Sequence, residues 1–244
     1  MARGRFSESA PERLLLQLPD FKVLGLLHGA SNYTFLARLG PHPPSGLQAV
    51  YKPARGESPL WDFEAGTLYR REVAAYELSK ALGWPNIPAT VVREKAPHGV
   101  GALQLFIDAD GRQFLGQNSV HQDVWVRIAL FDVITNNADR KSGHCLFDGE
   151  DKVWVIDHGL TFHTDEKLRT VIWDFSGQPL PGELCADVER ALIGVDGGQV
   201  GKRLRELISP AELRMLKRRL RAVLDPGWRF PEPSSAWSIP WPPV

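Results

Sequence analysis

Asn136-Asn137-Ala138-Asp139-Arg140-Lys141-Ser142-Gly143-His144-Cys145-Leu146, followed by Val153-Trp154-Val155-Ile156-Asp157-His158-Gly159, is the stretch on which the reading of this chain turns. A polar loop carrying one carboxylate, Asp139, precedes a short apolar strand that ends in a second, Asp157, and a glycine. Phosphoryl transfer uses such a pair: one Asp meets the nucleophile, and a second at a strand end holds a metal on the nucleotide phosphates. Either motif alone is usually a turn after a helix or a strand leaving for a loop. Two of them, about a hairpin apart and behind a long helix, are considerably more specific.

Working outward, each part such a site needs has a candidate in the right order. Asp139 is expected to orient or deprotonate an acceptor hydroxyl, and Arg140 or Lys141 to offset charge on the transferred group. Asp157 is the expected principal ligand of a divalent ion, and His144, as neutral imidazole, a second. Upstream, Lys52 ends the apolar stretch Ala49-Val50-Tyr51, so its ammonium is expected to reach phosphate from an inner strand. Glu72 lies on the following helix and shares a face with Tyr69, Val73 and Tyr76, which would turn it inward toward that lysine. Taken alone, the two are a surface lysine and a solvated glutamate; the downstream motif joins them. The turn Gly29-Ala30-Ser31-Asn32 offers backbone N–H groups and the side chains of Ser31 and Asn32 as a phosphate cradle, although by itself it is only a hairpin connection.

The rest of the 244 residues fits one large domain or two small lobes. Hydrophobic residues make up 43% and charged residues 24%, an ordinary globular balance. Lys plus Arg and Asp plus Glu both number 29, so no overall field draws the chain to nucleic acid or a membrane surface. No apolar run approaches the roughly 20 residues of a membrane span, and Met1-Ala2-Arg3-Gly4-Arg5 lacks the apolar core of a secretory signal. Cys145 and Cys185 have no metal or disulfide spacing, which fits a reducing cytoplasm.

Pattern predicts a short helix over 7–18, with Ser9 and Glu12 at capping-box spacing, then strands over 21–27, 33–39 and 47–52. A helix follows over 68–82, then strands over 90–93 and 103–107. Asp108-Ala109-Asp110-Gly111 reads as a turn and a hinge. Beyond it the chain becomes mainly helical, over 120–135, 184–193, 199–207 and 210–224, with strands at 145–148 and 153–156. Ser209-Pro210-Ala211-Glu212 is a clear helix start. The tail from Pro226 is expected to be irregular, either disordered or strapped across the body. The tryptophans are expected to be anchors of core and tail, and the basic run Lys217, Arg218, Arg219 and Arg221 a solvated helix face.

These residues resemble the phosphatidylinositol 3-/4-kinase-like branch of the protein-kinase-like superfamily. Its catalytic loop reads D-R-H-x-x-N and its metal motif D-F-G; here stand Asp139-Arg140-Lys141-Ser142-Gly143-His144 and Asp157-His158-Gly159. More closely, the chain is similar to a largely actinobacterial family of that branch, through Val50-Tyr51-Lys52-Pro53, Pro59-Leu60-Trp61-Asp62-Phe63, Gly66-Thr67-Leu68, Arg71-Glu72-Val73-Ala74-Ala75-Tyr76 and the two motifs above. The resemblance implies an α+β, two-lobed kinase-like fold. An antiparallel-sheet N-lobe over 1–108 would precede a helical C-lobe over 109–225 and a Pro/Trp tail over 226–244. It implies ATP, with Gln104, Phe106 and Ile107 bordering the adenine and Leu146 and Ile156 beneath it, residues that would otherwise be ordinary core. It implies Mg²⁺, or Mn²⁺, which suits His144 better. The expected activity is phosphoryl transfer to a small-molecule or protein hydroxyl. A nucleotide-binding pseudokinase regulating a protein partner, or nucleotidyl transfer on the same scaffold, are the alternatives.

Overall fold

The structure, a computed structural model, describes residues 10–27, 32–41, 46–112 and 121–243. They group into two compact units, Met1–Val73 with Pro88–Phe106, and Ala74–Ile87 with Ile107–Val244.

The first unit is built on a five-stranded antiparallel sheet, β1 (Lys22–Leu26), β2 (Phe35–Leu39), β3 (Leu47–Pro53), β4 (Thr90–Arg93) and β5 (Gly101–Leu105), in the order β1-β2-β3-β5-β4. In β3 the period-2 alternation buries Ala49, Tyr51 and Pro53, while Val50 and Lys52 face the other side. The core face is closed by α1 (Ala10–Gln17), whose Leu15 is fully buried. Arg93 on β4 donates to the carbonyls of Leu15 (3.0 Å) and Leu18 (3.2 Å), occupying acceptors that the end of α1 leaves open. β5 begins two residues before its predicted start and ends before Phe106. Gly101 and Ala102 lack the bulk that marks a strand, yet smallness is what the sheet needs there: a Cβ on Gly101 would come within 2.7 Å of the Pro53 Cα. The helix predicted over 68–82 is α2 (Leu68–Leu82), with Tyr69, Glu72, Val73 and Tyr76 buried.

The second unit is organised around α3 (Gln122–Thr135), apolar almost all round and buried along most of its length. It ends at Asn136, whose φ of 53° is the left-handed conformation that asparagine adopts at modest cost. A small hairpin follows, β6 (Cys145–Phe147) with β7 (Val153–Val155). Asp148 closes it by accepting from the amides of Glu150 and Lys152, both at 3.0 Å, and from the Trp154 indole at 2.7 Å. The turn predicted as a hinge is tied to this hairpin: Ala109 pairs with Asp148, and the Asp110 amide donates to the Phe147 carbonyl at 2.9 Å.

Three helices complete the unit, α4 (Gly182–Gly197), α5 (Gln199–Leu207) and α6 (Pro210–Val223). α6 starts with the expected reciprocal cap between Ser209 and Glu212. α4 runs further than the predicted 184–193, taking in Gly194 and Gly197, residues of low helix propensity. Both lie inside the helix, and α5 folds back on its end so closely that a Cβ on Gly201 would lie 2.9 Å from the Val195 carbonyl carbon. The tail is irregular apart from one 3₁₀ turn at Ala236–Ser238, and it lies along the loop 160–182. Trp125 is a core anchor, whereas Trp61 is 91% exposed, Trp237 77% and Trp241 87%, so these three rings are not buried in the core. Arg219 also departs from the expected solvated face: it turns inward to donate to the His163 carbonyl. No helix among the described residues is long and apolar enough to cross a membrane.

Candidate active site

In the first unit the structure pairs Lys52 with Glu72: the ammonium donates directly to the carboxylate Oε1, and the glutamate is almost fully buried. Lys52 stands opposite Ala102, and Val50 opposite Gln104, so these residues share one sheet face. On that face the Gln104 amide donates to the Thr90 hydroxyl at 2.8 Å. Phe106 and Ile107 are half-buried just beyond β5, and the Phe106 amide still reaches the Gln48 carbonyl at 3.2 Å. Ser31 lies outside the described residues. Asn32 uses its side-chain oxygen to accept from the Ser58 amide at 2.7 Å, which ties the end of that turn to the loop after β3.

In the second unit, the loop after α3 carries Asp139 with the Lys141 ammonium 3.5 Å from its carboxylate. Burial raises the Asp139 carboxyl to about 6; Lys141 pulls it down, and the negative charge of Asp157 pushes it up. The group is therefore ionised at neutral pH yet close to the range where a general base is effective. His144 closes the 3₁₀ turn Ser142–His144, and its main-chain carbonyl accepts from the Ile156 amide at 3.0 Å. That bond extends the hairpin by one step and sets Asp157 beside His144, with 3.3 Å between Nε2 and Oδ2. Asp157 has φ of 60°, an uncommon conformation for a residue with a Cβ, and its side chain is 46% exposed. Leu146, opposite Trp154, and Ile156 are both half-buried.

Arg140 does not do what its sequence position suggests. It is fully buried, so its guanidinium cannot offset charge on a transferred group. Its Nε donates to both oxygens of the equally buried Asp132 (3.2 and 3.1 Å), and one terminal nitrogen reaches Oδ1 at 3.0 Å. The same guanidinium donates to the Ile156 carbonyl at 3.0 Å and to His158 Nε2 at 2.8 Å. One side chain thus grips the residues on both sides of Asp157. His158, the middle residue of the second motif, is fully buried, with its ring edge-on to Phe131 at 5.7 Å.

The structure also brings in residues that the motifs leave out. Asn137 donates to Asp132 Oδ1 at 2.9 Å, and its own Oδ1 accepts from the Asp139 amide at 3.0 Å. The Asn136 side chain holds the carbonyls of His163 (3.1 Å) and Asp165 (2.6 Å), and Thr170 Oγ1 lies 3.4 Å from Asp132 Oδ2. A signal was present: Asp132 sits in the apolar run Ile128-Ala129-Leu130-Phe131-Asp132-Val133-Ile134, and a carboxylate in a buried helix requires a cationic partner.

A divalent ion finds one suitable ligand here and one unsuitable one. Asp157 offers an accessible hard oxygen, and Mg²⁺ typically takes one or two carboxylates plus substrate phosphates. His144 Nδ1 accepts from the Lys141 amide at 3.4 Å. A neutral ring therefore carries its proton on Nε2, where it points at Asp157 and leaves no lone pair for a metal.

No family model matches the chain. The crystal structure of a Helicobacter pylori proinflammatory kinase, CtkA, superposes with a TM-score of 0.51, covering 87% of this chain and 94% of that one at 13% identity. The α+β fold is thus kinase-like. The structure of hydra Fam20 with sugar matches at a TM-score of 0.49 and 16% identity, covering 84% of both chains, too loosely to bear on the fold. In sequence, protein Rv2133c of Mycobacterium tuberculosis is 36% identical over 269 aligned positions that cover 95% of each chain. Identity of that extent makes this chain a member of the Rv2133c family.

Proposed function

We propose that this chain is an ATP- and divalent-metal-dependent phosphotransferase of the phosphatidylinositol 3-/4-kinase-like branch, acting on the hydroxyl of a small molecule or a protein. The observation that carries the reading is the Arg140 network. A polar network this deep in a core is costly unless fully satisfied, and its effect is to fix the loop of Asp139 and the strand exit of Asp157 to one point.

On this reading Asp139 accepts the proton of the acceptor hydroxyl as that oxygen attacks the γ-phosphorus. The bond from the γ-phosphorus to the bridging oxygen breaks, and ADP leaves. Lys141 neutralises charge on the transferred group, the role Arg140 is too buried to play. Lys52, steadied by Glu72, contacts phosphate from its strand, and Ser31 and Asn32 belong to the turn that cradles it. Gln104, Phe106, Ile107, Leu146 and Ile156 serve the adenine. Asp157 would hold the divalent ion, which when bound neutralises phosphate oxygens. We assign the N-lobe to 1–108, the C-lobe to 109–225 and the tail to 226–244, and the chain to the cytoplasm.

The orientation of His144 favours one second reading, a nucleotide-binding pseudokinase that regulates a protein partner, because one of the two expected ligands is not disposed to bind metal.

Phosphorus NMR of ATP with purified protein and Mg²⁺ or Mn²⁺ in a metabolite-containing lysate separates these readings, with Asp157→Ala as control. ADP and a new phosphoester signal that need Asp157 support the kinase, and fractionating the lysate then identifies the acceptor. AMP or pyrophosphate indicates nucleotidyl transfer. No change beyond the control refutes catalysis and leaves the regulatory reading.

A further inference from the structure

The segment that runs from Ser238 to Pro243 hydrogen-bonds to two loops of the second unit among the described residues, and both loops build the site. The Pro243 carbonyl accepts from the Ser142 amide at 2.9 Å and from the Ser142 hydroxyl at 3.2 Å. The Ser238 carbonyl accepts from the Thr170 amide at 3.1 Å. Ser238 itself is buried, and its hydroxyl accepts from the Ser234 amide at 3.1 Å, which fixes the turn that aims its carbonyl.

Neither anchor point is incidental. Ser142 follows Lys141 directly and opens the 3₁₀ turn whose last residue, His144, meets Asp157. Thr170 pairs with Arg140 in a parallel bridge, and its hydroxyl reaches Asp132. The amides of Arg140 and Val171 complete that bridge, donating to the carbonyls of Arg169 at 3.0 Å and Arg140 at 3.1 Å. Lys141 stands between Arg140, which Thr170 holds, and Ser142, and Asp139 directly precedes Arg140. Along the segment burial alternates: Ser238 and Pro240 face the protein, while Trp237, Ile239 and Trp241 face out. Its inward face is therefore spent on hydrogen bonding and close packing rather than on burying its large apolar groups. That is unexpected for a tail whose only task is to cover the core.

We propose that this segment is a positioning strap for the catalytic loop, with Ser142 as the residue through which it acts. Held at Ser142 and Thr170, the loop presents Asp139 and Lys141 in one arrangement. Released at Ser142, it samples several, and turnover falls while nucleotide binding stays. The catalytic consequence rests on the phosphotransferase reading above; the ordering of the loop does not.

The test is amide hydrogen exchange by NMR on the full chain and on a chain ending at Pro240, which loses the Pro243 carbonyl but keeps that of Ser238. The strap predicts that the Ser142 amide exchanges about tenfold faster in the shortened chain while Thr170 keeps its protection. ATP turnover should fall severalfold in kcat at unchanged KM for ATP. Ser142→Thr, which keeps both donors, should match the full chain, and Ser142→Ala should fall between. Unchanged Ser142 protection overturns the proposal. So does a general loss of protection across the second unit, which would make the tail a folding element, and so does a loosened Ser142 with unchanged kcat. If the full chain shows no turnover, the phosphotransferase reading fails alone, and the exchange data still decide whether the strap orders the loop.

Discussion

Replacing Asp139 by Asn should make the protein more stable and less active. Burial raises the Asp139 carboxyl to about 6, well above the usual carboxylate range. An acid that holds its proton more tightly in the folded chain than in the unfolded one draws protons to the native state as pH falls. Its contribution to stability is complete below about pH 4 and is lost as pH rises through about 6. Above that, the ionised group costs the fold at most on the order of 3 kcal/mol, taking about 1.4 kcal/mol for each tenfold displacement of the proton equilibrium and less where solvent screens a side chain that is 29% exposed. Asn is close in shape and carries no charge, so the variant escapes the penalty. The difference should be under about 1 kcal/mol near pH 4 and rise to at most about 3 kcal/mol above pH 7, less whatever Lys141 loses with its partner. Urea denaturation followed by tryptophan fluorescence at pH 5 and pH 8 measures it. A difference that does not grow with pH, or an Asn variant that is the less stable one at pH 8, would refute the account of a carboxylate held ionised against its surroundings.

Other expectations follow from the same geometry. Asp157→Ala should abolish metal-dependent nucleotide binding in a calorimetric titration with Mg²⁺ and ATP; tight binding retained in the variant would remove Asp157 from the metal. His144→Asn should preserve or raise Mg²⁺-supported turnover, because an amide oxygen suits that ion better than imidazole; complete loss would point to a function of the ring itself. Arg140→Met should lower stability by about 3–5 kcal/mol, the cost of leaving a buried carboxylate without its partner. The second change Asp132→Leu should recover part of that loss, and thermal denaturation of the double variant showing no recovery would sink the pairing. Glu72→Gln should weaken nucleotide binding while the protein stays folded, and unchanged affinity would leave the Lys52 pair a structural one.

Much of this protein was legible before the structure. The helix over 68–82, the strand over 90–93 and the helix over 199–207 coincide with the elements observed, because apolar spacing and their end signals agree there. Glu72 was readable as inward-facing from the company of Tyr69, Val73 and Tyr76. What failed shares one physical origin. The predicted strand over 103–107 and helix over 184–193 stop short of Gly101 and of Gly194 and Gly197, since local propensity counts only the backbone freedom of glycine. In the fold, Gly101 is a position where β3, distant in sequence, approaches too closely for a Cβ, a long-range fact no local window contains, while Gly194 and Gly197 are carried within α4. Arg140 was misread for a similar reason. A motif gives the order of charged groups along a loop but not which of them turns inward, and that was decided by Asp132 on the preceding helix.

The grip of Arg140 on the Ile156 carbonyl and His158 has a consequence for how this family's genetics is interpreted. In a mutational scan scored by growth or signal, Arg140, Asp132 and Asn137 would stand out as sharply as Asp139 and Asp157. A ranking by tolerance would merge the five into one set. Measuring the cellular abundance of each variant alongside its phenotype would divide them. Variants at the first three positions should be depleted because little protein accumulates, whereas Asp139→Asn should accumulate at or above the normal level while failing to function. Abundance, rather than intolerance to change, is thus the quantity that would let selection data identify which residues meet the substrate.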